Sequence, residues 1–117
     1  MTEAAKYITT TINSMTSVSS QLIGGMAWEI SDSGVQKPFL NFNLIESPGP
    51  SKDSGFAYTV SFFIFSDTLT SSAAIGDLLK QEVKDNELNW KYVRASNGYT
   101  SDSANEAFIE IVYQFKL

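Results

Sequence analysis

Residues 55–66 read GFAYTVSFFIFS, a run without a single charge. Phe56, Tyr58, Val60, Phe62 and Ile64 fall on one side of a period-two alternation, with Ala57, Thr59 and Ser61 on the other. That other side turns apolar at Phe63 and Phe65. A strand of this kind needs cover on both faces over its second half, so it belongs inside a sheet. On an edge, an uncharged aromatic run would template aggregation. The rest of the chain must therefore supply neighbours for it.

Those neighbours can be read from the pattern. Residues 2–15 repeat apolar side chains at Ala4, Ile8, Ile12 and Met15, with Thr2 as a cap and Glu3 at the positive end of the dipole, and predict a helix. Gly24-Gly25 breaks the chain, and residues 26–30 (MAWEI) read as a short strand. A polar turn over 31–37 closes at Pro38. Residues 39–46 (FLNFNLIE) alternate Leu40, Phe42 and Leu44 against Asn41 and Asn43, which is a strand. Residues 47–54 (SPGPSKDS) read as a long exposed loop between two strands. After the aromatic run, Ile75, Leu78, Leu79 and Val83 share the face of an amphipathic helix that ends near Asp85-Asn86. Residues 90–95 (WKYVRA) predict a strand and 96–105 (SNGYTSDSAN) a second polar loop. In 107–117 (AFIEIVYQFKL), Ile109, Ile111, Tyr113, Phe115 and Leu117 alternate with Glu110, Gln114 and Lys116. The expected fold is a single α+β domain over 1–117. It is an antiparallel sheet of four or five strands with two helices packed on it, in the order α-(β)-β-β-α-β-β.

Composition excludes several kinds of chemistry. There is no cysteine and no histidine, which rules out disulfides, thiolate sites and every Ser-His arrangement. The chain carries 13 acidic against 8 basic residues, and the bases are scattered. A sequence-independent nucleic-acid site needs them clustered, so no nucleic-acid partner is expected. No apolar stretch approaches the ~20 residues that cross a bilayer. MTEAAKYITTTINSM lacks the cationic start and apolar core of a secretory signal.

The residues that remain carry weak signals. Glu106 and Glu110 read as solvated charges on the polar face of the last strand, not as the converging carboxylates of a glycosidase. Asp32-Ser33-Gly34 and Asp53-Ser54-Gly55 are turn signatures short of a calcium loop, and Gly24-Gly25 lacks the residues of a phosphate loop. Trp28, Trp90 and Tyr92 are expected in the core or at a subunit contact, and Tyr99, in a polar loop, as an exposed contact residue. No catalytic residue, cofactor or metal is expected, and the chain does not read as an enzyme.

From Pro38 onward the chain resembles the tail-completion, or tail-terminator, proteins of long-tailed bacteriophages. The pieces that carry the likeness are KPFLNFNLIE, a polar loop, YTVSFFIFSD, the helix TSSAAIGDLLKQEVKD, WKYVRASNGY and the closing FIEIVYQFKL; the helix at residues 2–15 also fits. Residues 24–37 depart from the compact loop usual in that family. The resemblance rests on pattern and element order. It implies a structural virion protein that forms a ring, usually of six copies. The ring caps the tail tube and joins it to the head connector. Its partners would be itself, the tube protein and the connector protein; its place would be the virion tail, and the host cytoplasm during assembly. Under that reading Pro48, Gly49, Pro50, Lys52 and Asp53, with Tyr99, form the expected contact set.

Two other readings stay open at this point. One is a small-ligand domain with a cavity lined by Trp28, Phe62 and Trp90. The other is a protein-binding domain whose acidic surface meets a basic partner.

Overall fold

The uncharged aromatic run becomes the central strand of a five-stranded sheet. The computed structural model describes residues 1–28, 36–48, 56–99 and 106–117. Helix α1 (Thr2–Ser14) and the short helix α2 (Thr16–Ser19) precede strands β1 (Met26–Trp28), β2 (Phe39–Pro48) and β3 (Phe56–Ser66). Helix α3 (Leu69–Asp85) and strands β4 (Lys91–Tyr99) and β5 (Ala107–Lys116) follow. The strands lie in the order β1-β2-β3-β5-β4. The class is α+β, as expected, with a fifth strand and a third helix.

Register explains where the core forms. Phe62 stands opposite Phe42 of β2 and Ile111 of β5, and Ile64 opposite Leu40 and Ile109. Residues directly opposite one another point to the same side. One face of the sheet is therefore a continuous apolar layer. Ala4, Ile8 and Ile12 of α1 and Ile75, Leu79 and Val83 of α3 close over it, and Met15, Val18 and Leu22 fill the space between. Trp90 plugs the layer beside β5: its ring stacks on Phe62 at 5.9 Å, and its Nε1 donates to the Tyr7 hydroxyl at 2.9 Å.

The differences from the sequence reading have local causes. Met15 leaves helical geometry at φ −83°, ψ 82° with its side chain buried, so α1 stops and α2 starts afresh. The sheet is not wholly antiparallel, because β1 runs parallel to β2. Gly24 N–H donates to the Pro38 carbonyl and Leu40 N–H to the Gly25 carbonyl, laying the two segments side by side in one direction. Gly25 makes the turn into β1 at φ +77°, where a side chain would be strained. Strand β2 continues through Pro48, a residue that needs no ladder donor at the end of its strand. Residues 96–99 are strand, not loop, since β5 pairs with them through Tyr99 opposite Ala107. The ring of Phe108 lies against Gly98, where an added Cβ would come within 3.0 Å of it. An aromatic partner thus supports a glycine that propensity alone would place in a turn.

Candidate functional site

Strand β4 is the least covered element of the fold. Helix α3 lies over β3 and β5, and β4 extends beyond it, held to the sheet by β5 alone. Every residue of β4 except Gly98 is exposed, and its outer edge carries no partner among the described residues. Tyr92, Val93 and Tyr99 place large apolar surface there. A shift in register between Tyr92 and Arg94 makes Val93 the extra residue of a bulge. Bulges and cationic side chains are common protections for an edge. Here Lys91, the bulge and Arg94 guard only the first half, and Ala95–Tyr99 has no charge and no proline.

On the helix-free side, Arg94 is anchored across the strands. Its Nη1 lies 2.8 Å from Glu110 Oε1, and the Ser96 hydroxyl donates to the same oxygen at 3.1 Å. The Glu110 side chain is 15% exposed, so it is a structural ion-pair partner and not the solvated charge its strand position suggests. Glu106 lies 3.9 Å from Lys37, which also reaches Asp67 at 3.3 Å. These two carboxylates brace separate parts of the sheet.

Between α3 and β4, on the helix-bearing side, the overhang leaves an open slot of about 170 Å³. Ala73, Gly76 and Lys80 form its helical wall, and Ala95, Ile109 and Ile111 line it from the sheet. Gly76 lets α3 approach β5 closely, since a Cβ there would stand 3.1 Å from Ile111 Cδ1. The slot is not among the sites expected from the sequence. Its signal was the small residues around Gly76, at the helix's closest approach to the sheet.

The opposite edge among the described residues is β1. Trp28 stands in register with Phe42, hence on the helix-bearing side, yet is 41% exposed. It does not join Phe62 and Trp90 around a shared space. Phe42 intervenes between Trp28 and Phe62 in the ladder, and Phe62 and Trp90 stack on each other. Tyr92, its ring 5.7 Å from that of Tyr113, remains half exposed on β4.

The helix-free face bears a second aromatic group. Phe39 stacks on Phe65 at 4.8 Å, and Phe108 meets Phe65 at 5.7 Å and Phe63 at 6.2 Å. The second half of β3 therefore gains its other-face cover from neighbouring rings, where a packed helix would be the usual source.

Of the expected contact residues, the two that are described, Pro48 and Tyr99, stand apart. Pro48, opposite Phe56, lies at one end of the sheet; Tyr99, opposite Ala107 and so level with Ser66, lies at the other. The ten-residue step from Phe56 to Ser66 separates them by about 30 Å along the strands. Tyr99 is exposed as expected, although it ends a strand. Gly49, Pro50, Lys52 and Asp53 lie outside the described residues.

Two tyrosines have altered acidity. Burial, with Tyr92 nearby, pushes Tyr113 up to about 12. Tyr58 is also raised, first by its hydrogen bond to Glu46, at 2.9 Å. Among the described residues no three carboxylates gather as a metal site, and no helix is long and apolar enough to cross a membrane. Compared with known proteins, the chain matches no protein-family model and no curated protein.

Proposed function

We propose that this chain is a ring-forming tail-completion protein of a long-tailed bacteriophage, a structural part that caps the tail tube and joins it to the head connector. The observation that carries this reading is β4, a nine-residue strand exposed on both faces and, among the described residues, without a neighbour along its outer edge. A sheet whose two outer strands have no outer neighbour among the described residues suits a repeating head-to-tail contact, which closes into a ring when the rotation between copies allows. Support also comes from the order of elements, in which a hairpin, an amphipathic helix and a closing aromatic-aliphatic strand follow one another as the family resemblance expects. The work of such a part is shape and symmetry, with no catalytic residue and no cofactor.

A slot of about 170 Å³ is smaller than the ~300 Å³ at which small-molecule pockets begin. It has the scale of one large side chain, which favours a protein contact at this slot. The test is to add purified protein to isolated tail tubes of its phage that lack a terminator, and to image them. Rings seated on one end of each tube, with no further tube growth, are expected. Bare tubes that keep elongating would refute the assignment.

A further inference from the structure

We infer that copies of this chain join edge to edge, β4 of one copy pairing with β1 of the next, and that Trp28 of the next copy seats in the slot between α3 and β4. This rests on the ring reading and names its contact. Three independent features of the fold converge on it.

The first is direction. Strand β2 is antiparallel to β3, β3 to β5 and β5 to β4, while β1 is parallel to β2. Strands β1 and β4 therefore run in opposite directions within one copy. If copies repeat around an axis along the strands, the new pair is antiparallel, and the sheet continues from one copy into the next with regular hydrogen bonds.

The second is sidedness. Trp28 shares its side of the sheet with Phe42, the side that bears the helices. On β4, Ala95 stands opposite Ile111 and Asn97 opposite Ile109, so both face that same side. A continuous sheet must keep sides matched, because successive residues alternate between faces. The next copy's Trp28 then arrives beside Ala95, on the side where the slot opens. Joined with the sides reversed, the indole would meet Ser96 and Arg94 and the slot would stay empty.

The third is fit. The slot is walled by Ala73, Gly76 and Ala95 and backed by Ile109 and Ile111, with Lys80 at its margin. Small walls and an apolar back accept an aromatic ring, and the Asp77 carboxylate or the Asn97 side-chain oxygen, which also line the slot, can accept from its indole N–H. Among the described residues β1 offers three for pairing, so one junction rests on a short ladder and one seated indole. Single junctions are therefore weak, and a closed ring, where every copy gains two, is the stable product.

The absence of cysteine makes the test direct. Two single variants, Trp28→Cys and Ala95→Cys, are mixed and oxidised. The expected product is a covalent dimer in the mixture, beyond any dimer formed by either variant alone. A double variant carrying both changes should yield a ladder ending at the ring. Separately, Ala95→Arg fills the slot from an exposed position and should weaken assembly at least tenfold with the circular dichroism of the monomer unchanged. Mixing Ala95→Arg with Trp28→Ala leaves at most one sound junction per pair, so the mixture should form no rings. Wild-type rings together with an unreactive cysteine pair and normal assembly of Ala95→Arg would overturn this contact and leave the ring reading standing. A wild type that stays monomeric at millimolar concentration would overturn the ring reading, and this contact with it.

Discussion

At the scale of single residues, stability concentrates in the aromatic layer. Phe62 is fully buried and touches the rings of Phe42, Trp90 and Tyr113. Phe62→Ala removes the centre of that layer and should cost about 3–5 kcal/mol, read from urea unfolding. Tyr113 adds a dependence on pH. Its phenol is held neutral up to about 12 in the fold, whereas in the unfolded chain it ionises near its ordinary value of 10.0. Between those values the unfolded state has released a proton that the folded state retains. Stability is therefore untouched by this group below pH 10 and declines as pH rises toward 12. Tyr113→Phe removes the group, so its unfolding midpoint should fall less steeply over that window than the wild type's. Parallel curves for the two proteins would show that Tyr113 does not resist ionisation.

At the scale of elements, both ends of α3 show how local chemistry sets boundaries. The Thr68 hydroxyl accepts from Ser71 N–H at 3.1 Å, and Thr68→Ala should cost about 1 kcal/mol. At the other end, Leu88 N–H donates to the Val83 carbonyl and Glu87 N–H to the Lys84 carbonyl, the pattern of a Schellman stop. Its left-handed residue is Glu87 at φ 51°, where glycine is usual. Glu87→Gly should accordingly stabilise the fold by about 1 kcal/mol in the same unfolding assay. The apolar face of this helix was legible in the sequence because it is a local pattern. The central place of β3 was legible as well, since a strand apolar on both sides has few other places to go. The extension of β4 through Asn97 and Gly98 was not, because its cause is Phe108 on the neighbouring strand. Nor was the separation of Pro48 from Tyr99, which follows from β3 running between the two hairpin ends. The slot beside Gly76 depends on how far α3 reaches across the sheet, and residue spacing along the chain does not encode that.

At the scale of the whole molecule, the fold has two sides that differ and a sheet that ends on each side without a lid among the described residues. Five strands at ~4.8 Å spacing contribute about 24 Å of arc per copy if the sheet runs on from one to the next. Six such copies would close a circle of about 23 Å radius, measured at the sheet. Image averages of rings should therefore show a wall of that radius, with every helix layer on the same side of it. The formal charge of −5 per copy adds up around a ring, so assembly should strengthen with added salt as like charges are screened. The central claim is that the isolated domain is one unit of a closed ring. Absolute mass by light scattering after size exclusion, across protein and salt concentration, tests it most directly. A ring-sized species that grows with both is expected, with little dimer or trimer between it and the monomer. A single monomer mass under every condition would contradict it.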